Sequence, residues 1–287
     1  MQPTPKSLIL DLLSTLRRGA FPVGALVAAG GFLGLEGGSV RVALARLLEA
    51  GLVEREERGR YRLGARATAI QGRVVAWRGL EERVRPWAGG WIGVHAAGAA
   101  RGDRASRQQG VRALRFLGFR ELSRGLSIRP DNLAGGVDAL RTALQDLGLS
   151  SAVPVFALSG LDAKTEALAR GLWDVSALRR SYRRERQALE RSEKRLARLA
   201  QPQAMAESFV VGGRALRALA FDPLLPESIA PVAERQSLVS AMRRYDRLGK
   251  ACWAPFLEEH GVLSPRMPAD TRGMTAGAAL AAAGGIA

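Results

Sequence analysis

The chain has 287 residues and a formal charge of +16, from 43 Lys plus Arg against 27 Asp plus Glu; 47% of its residues are hydrophobic and 6% aromatic. That size and balance suit two or three folded domains and a polyanionic partner. One cysteine, Cys252, and two histidines, His95 and His260, exclude an intrachain disulfide framework, a thiolate zinc cluster and a His-rich metal centre.

Without a signal core or an apolar run of about 18 residues, a cytoplasmic protein with no membrane span is expected. Nearly all of the positive charge is arginine. A coding bias alone can raise arginine content, so placement matters more than number.

From about 5 to 64 the chain alternates helix, turn and strand signals. Thr4 or Ser7 suits the cap of a helix with Leu8, Ile9, Leu12, Leu13 and Leu16 on one face, Arg17 and Arg18 near its C-terminus and Gly19 as its stop. Pro22 opens a short second helix over Val23 to Ala29, and Gly30, Gly31 and Gly34 are read as a flexible turn with no phosphate-binding pattern. A third helix is predicted from Gly38 or Ser39 to Ala50. Val40, Leu44, Leu47 and Leu48 form its apolar face, Gly51 its cap, and Ser39, Arg41, Val42, Ala45 and Arg46 the opposite face.

Beyond Gly51 the period changes to two. Leu52 to Glu56 and Arg60 to Gly64 read as a hairpin with Glu57-Arg58-Gly59 at its tip. Three short helices followed by such a hairpin make a winged helix-turn-helix, whose third helix enters the major groove. Arg41 and Arg46 then offer bidentate donors to guanine edges. Arg55, Arg58, Arg60 and Arg62 neutralise phosphates, and small Ala45 permits close approach. The bland alternative is a solvated amphipathic face on a protein-interaction module. The helix and the wing being basic together favours double-stranded DNA.

Residues 65 to 85 read as a polar helix or linker with Ile70, Val74, Val75 and Trp77 on its buried side, ended by Pro86. Next come a strand at Gly90 to His95, a helix over Arg104 to Leu117 and an extended Phe119 to Ile128 bent at Ser123 to Gly125. A helix over Leu133 to Leu147 and a strand at Val153 to Leu158 complete a β-α-β-β-α-β order, the ferredoxin-like pattern. Pro154 places the last strand at an edge or at its own start.

The remainder is read as helical, over Thr165 to Ala200, Gln203 to Ala220 and Arg235 to His260, with a disordered Ala/Gly tail from Gly273. The first of these helices is the densest cationic stretch, holding Arg179, Arg180, Arg183, Arg184, Arg186, Arg191, Lys194, Arg195 and Arg198. It fits an anion-binding face, or a solvated helix with local Glu/Arg pairs. Asp222 to Pro226 is read as an architectural turn.

Catalysis finds little support. Cys252 beside Trp253 reads as packing, and neither His95 nor His260 has an evident nucleophile to serve. A metal-dependent nuclease would need a carboxylate cluster, for which Asp103 and Asp131 are the acids in suitable loops. A basic scaffold or RNA-associated protein is the remaining alternative, but no RNP-like aromatic string is present. No catalytic residue, metal site or cofactor is expected.

Four segments together carry a resemblance: Val40-Arg41-Val42-Ala43-Leu44-Ala45-Arg46-Leu47, Trp87-Ala-Gly-Gly-Trp-Ile92, Leu114-Arg-Phe-Leu-Gly-Phe119 and Asp222-Pro-Leu-Leu-Pro226. In order and spacing the chain, over about residues 5 to 262, resembles the PaaX-type repressors of phenylacetic acid catabolism. The resemblance implies a dimer on a palindromic operator, released by an aryl-acyl-CoA such as phenylacetyl-CoA. It also implies a middle domain similar to the Cas2 family and a helical C-terminal domain. The expected fold class is therefore α+β: a winged helix-turn-helix with linker over 1–85, a ferredoxin-like (Cas2-like) domain over 86–162, a helical domain over 163–265 and a tail over 266–287. Effector contacts are expected from arginines outside the wing, with Arg179, Arg183 and Arg186 as candidates.

Overall fold

The structure, a computed structural model, describes residues 3–15, 20–57, 59–65, 67, 76–96 and 104–262. It is a mixed α and antiparallel β protein. Packing sorts the described residues into two units, one of 3–78, 183–220 and 237–262, the other of 79–182 and 221–236.

The first unit opens with α1 (Pro5–Thr15). Its N-terminus is closed reciprocally: the Ser7 amide donates to Thr4 Oγ1 (3.1 Å) and the Thr4 amide to Ser7 Oγ (2.9 Å). This is capping-box logic with serine in the returning position. Leu8, Ile9, Leu12 and Leu13 are buried, whereas Leu16 to Gly19 lie outside the described residues. Strand β1 (Phe21–Pro22) leads into α2 (Val23–Phe32), with α3 at Gly37–Glu49.

Helix α2 runs past the glycines expected to end it. A Cβ on Gly30 would lie 2.9 Å from Val40 Cγ2, so the bare backbone lets α2 and α3 close on each other, and this packing overrides poor helix propensity. The turn begins instead at Leu33 and Gly34. Helix α3 ends in a Schellman motif, with the Gly51 amide donating to Leu48 O, the Leu52 amide to Leu47 O, and Gly51 at φ 65°.

Strands β2 (Val53–Glu57) and β3 (Arg60–Leu63) form the expected hairpin, and β1 adds a third strand to give the order β1-β3-β2. Phe21 pairs with Tyr61 and Pro22 with Arg60, a proline tolerable because β1 is an edge.

A short 3₁₀ turn (Ala76–Gly79) ends where the second unit begins, and that unit contains β4 (Trp91–His95), α4 (Arg104–Phe116), β5 (Arg120–Ser123), β6 (Leu126–Pro130), α5 (Gly136–Asp146) and β7 (Val155–Leu158). Its sheet has the order β5-β6-β4-β7, every pairing antiparallel. That is the β-α-β-β-α-β succession read from the sequence, with the buried strand β4 inside and β7 at an edge directly after Pro154.

The helix expected over 165 to 200 is two helices, α6 (Ala163–Arg170) and α7 (Val175–Leu196). Trp173 makes the break: it is buried, donates to Gly118 O at 3.1 Å and stacks on Trp91 with ring planes 9° apart. Helix α8 spans Gln201–Ala220 and α9 spans Ala233–Glu259.

A buried polar network in the second unit holds the Asp222 to Pro226 loop. Tyr182 donates to Asp222 at 2.5 Å, the Leu224 amide to the other carboxylate oxygen at 2.7 Å, and Asn132 to Leu224 O at 2.6 Å. These bonds sustain Leu224 at φ 53°, which a non-glycine residue rarely adopts. Buried Arg129 donates to Pro223 O and Asn132. Burial and nearby Arg83 push its pKa down to about 9, still high enough for the guanidinium to stay charged at neutral pH. Burial pushes the Asp222 carboxyl up, opposed by Arg235 at 3.7 Å.

Boundaries placed in chain order at 85 and 162 therefore differ from the grouping by packing. In the first unit Met205 and Phe209 of α8 and Trp253, Phe256 and Leu257 of α9 share one core with α1, α2 and α3. Trp253 closes it by donating to Met205 O and Ser208 Oγ, both at 3.2 Å. Phe209→Ala should accordingly cost about 3–5 kcal/mol and loosen the winged segment although it is remote in sequence from α3. Thermal unfolding and amide hydrogen exchange of the same variant check this; a chain whose α1, α2 and α3 amides exchange as slowly as in the wild type would contradict it.

Candidate nucleic-acid interface

Helix α3 divides cleanly. Val40, Leu44 and Leu47 are buried against α1 and α2, while Ser39, Arg41, Val42, Ala45 and Arg46 are exposed. Leu48, expected on the apolar face, is 40% exposed, because its position turns away from the core that the other three define. Val42 is 53% exposed, a large apolar side chain offered to solvent between two arginines. Arg41 and Arg46 form no ion pair among the described residues. The face therefore has two guanidinium forks, an apolar contact and a small residue at helical spacing, the donor and methyl-contact types that base edges accept.

In the wing, strand register sets each arginine's environment. Glu54 pairs with Arg62 and Arg55 with Tyr61. Arg62 and Glu54 form a 3.1 Å ion pair between two exposed side chains, a weak interaction that a phosphate can replace. Arg55 is exposed. Arg60 is placed differently from the phosphate-facing role expected for it: it is half-buried and donates to Ala20 O at 2.8 Å and Gly261 O at 3.2 Å, tying the wing to the chain before β1 and to the end of α9. Arg58 lies outside the described residues.

The three arginines expected to meet an effector are not gathered into a cavity. Arg179 pairs with Glu234 at 3.1 Å, which holds its pKa above the ordinary range, and Arg186 pairs with Glu190 at 2.7 Å. Arg183 is exposed on α7. A cleft of about 470 Å³ does exist in the second unit, lined by Arg85, Trp87, Leu225, Pro226, Val232 and Arg235 among others, and none of those three arginines reaches it. Its walls are largely apolar, and its charged lining is mixed, with Arg85 and Arg235 set against Glu81 and Glu227. Sequence patterning missed this cleft, since its walls come from segments far apart in the chain. The Trp87 and Asp222-to-Pro226 motifs were the signals available.

Asp131, one of the acids considered for a nuclease, is held by Arg85 at 2.6 Å, and Asp103 lies outside the described residues. Among the described residues no group of three or more His, Cys, Asp or Glu side chains could hold a metal ion. His95 is exposed at the end of β4, and His260 is bonded to Phe256 O at 2.9 Å. Cys252 is a half-buried free thiol whose pKa burial pushes up.

Residues 4–67 match the family model described as PaaX-like protein. No curated protein matches the chain. Among solved structures, the uncharacterized protein Rv0674 from Mycobacterium tuberculosis is similar at a TM-score of 0.55 and 24% identity, over 87% of this chain and 98% of that one. That likeness is one of fold. No described helix is long and apolar enough to cross a membrane.

The two environments of wing arginines predict opposite phenotypes. Arg55→Ala should leave thermal stability unchanged and reduce the salt slope of DNA binding by about 1, the loss of one phosphate contact. Arg60→Ala should lower the melting temperature and leave that slope unchanged. Parallel melts and salt titrations separate the two, and an exchange of the two phenotypes would refute the assignment.

Proposed function

From the premise that residues 4–67 are a PaaX-like segment, we propose that the chain is a sequence-specific, DNA-binding transcriptional regulator acting as a repressor. The observation that carries the reading is the outward face of α3, where Ser39, Arg41, Val42, Ala45 and Arg46 stand exposed on a helix whose opposite side is locked in the core.

In this reading a homodimer sets two α3 helices in successive major grooves of a palindromic operator, about 34 Å apart. Arg41 and Arg46 read base edges, and Arg55, Arg58 and Arg62 meet the backbone. An aryl-acyl-CoA, of which phenylacetyl-CoA is the type, binds an arrangement of the dimer in which that spacing fails. Its affinity for DNA-free protein and its power to release DNA are then one coupling free energy. The cleft beside Trp87 and Leu225 is the candidate chamber for the aryl end, and surface arginines of the same unit, Arg179 among them, for the CoA phosphates.

Arg41→Ala tests the reader. It should cost about 1–3 kcal/mol on the operator and relax preference at one base pair while random duplex is bound almost as before. Selection of binding sites from a randomised duplex pool measures this. A panel of aryl- and alkyl-CoA thioesters added to the wild-type complex should include one that dissociates it. An Arg41→Ala protein with the same selected motif as the wild type would remove α3 as the reader.

A further inference from the structure

Helix α7 separates its charges by face in a way its composition does not disclose. Over the part belonging to the first unit, Leu189, Ser192 and Leu196 turn inward together with Glu185. Arg183, Arg184, Gln187, Arg191, Lys194 and Arg195 turn outward, and Arg198 continues the exposed series just past the helix.

Two of the three acids of this helix are used inward or sideways, and the third, Glu193, is half-buried beside Lys194. Glu185 is buried and held by Arg184 at 2.7 Å and by Arg214 of α8 at 3.1 Å, and Glu190 pairs with Arg186. Arg195 bonds Glu207 of α8 yet keeps much of its surface exposed. Arg191, Lys194 and Arg198 are exposed and form no ion pair among the described residues. Three cations three and four residues apart on one exposed face repel one another, a repulsion that Glu193 on the same helix relieves only in part and that a polyanion would relieve further.

The stripe is also held firmly. Ser192 Oγ and Tyr245 OH of α9 are 2.7 Å apart, and with the Glu185–Arg214 pair they fix the inner side of α7 on α8 and α9. Those two helices share their core with α1, α2 and α3. Arg191, Lys194 and Arg198 lie on the same packed unit as the candidate reader and cover about 10 Å at 1.5 Å per residue, roughly three steps of a phosphate backbone at 3.4 Å per step.

We propose that the Arg191–Lys194–Arg198 stripe of α7 is a second DNA-contact surface that binds the phosphate backbone of duplex outside the segment read by α3. The inference rests on the DNA-binding reading above. The contact is electrostatic and indifferent to base sequence, so it lengthens the bound duplex and adds salt-sensitive affinity without changing the motif.

The test compares wild-type protein with the triple variant Arg191→Ala, Lys194→Ala and Arg198→Ala on duplexes of about 20 and about 60 bp, both centred on the operator, the shorter one covering two half-sites. Because all three side chains are exposed, the variant should melt as the wild type does; Arg191→Lys with Arg198→Lys, which preserves charge, should bind as the wild type does. The proposal expects the triple variant to lose roughly tenfold or more on the long duplex, with a salt slope smaller by about 2–3, and to bind the short duplex unchanged. Unchanged affinity on the long duplex overturns it. An equal loss on both lengths also overturns it, by assigning the stripe to the general field of the protein. Loss of the thioester response alone would make it an effector surface instead. Preference of the wild type for operator over shuffled 20-bp duplex reports on the α3 reading separately, so either idea can fail without the other.

Discussion

The first unit depends on one shared apolar core. Phe209, Trp253 and Phe256, from helices late in the chain, pack with Leu8, Leu12, Leu26 and Val40 of the winged segment. Trp253 meets Phe256 edge-on at 5.7 Å and Phe32 meets the same ring at 5.5 Å, so an aromatic cluster closes the space behind α2. A winged segment of about 60 residues buries little apolar surface alone, and the C-terminal helices supply what it lacks. The orientation of α3 follows from that core: Val40, Leu44 and Leu47 belong to it, leaving Arg41, Val42 and Arg46 on the outward face.

Charge is distributed by the same constraint. Arginines whose guanidinium groups enter the protein are engaged with carbonyls or acids, as Arg60 is with Ala20 O, Arg129 with Pro223 O and Arg235 with Leu225 O. A charged group taken from water without such partners would be costly. Cations without internal work collect on the surface, on α3, on the wing and along α7. The net charge of +16 thus divides into structural and available parts, and only coordinates separate them.

Much of the winged segment was legible because its signals are local. The Thr4 and Ser7 cap, the Gly51 stop and the change from helical to alternating period all act within a few residues. The β4-to-β7 succession was legible for the same reason. What escaped depends on distant partners. Strand β1 has two residues and exists only because β3 pairs with it. Gly30 and Gly31 read as a turn until Val40 is seen to need the bare backbone of Gly30. The break before α7 follows from Trp173 reaching Gly118 and Trp91. Arg60 alternates like a phosphate ligand, but its acceptors lie at positions 20 and 261. The exposed face of α3 was read correctly from periodicity, whereas the cleft beside Trp87 assembles from segments more than a hundred residues apart.

The measurement that bears most directly on this account is titration of the wild-type chain, at about 150 mM salt, against the DNA upstream of its own coding region and a shuffled duplex of equal composition. If α3 reads bases, the native duplex should be preferred by roughly 10³ or more, and the preference should survive added salt while absolute affinity falls. Equal and equally salt-labile affinity for both duplexes would contradict it, leaving the arginines of α3 as part of a basic surface that holds nucleic acid without reading it.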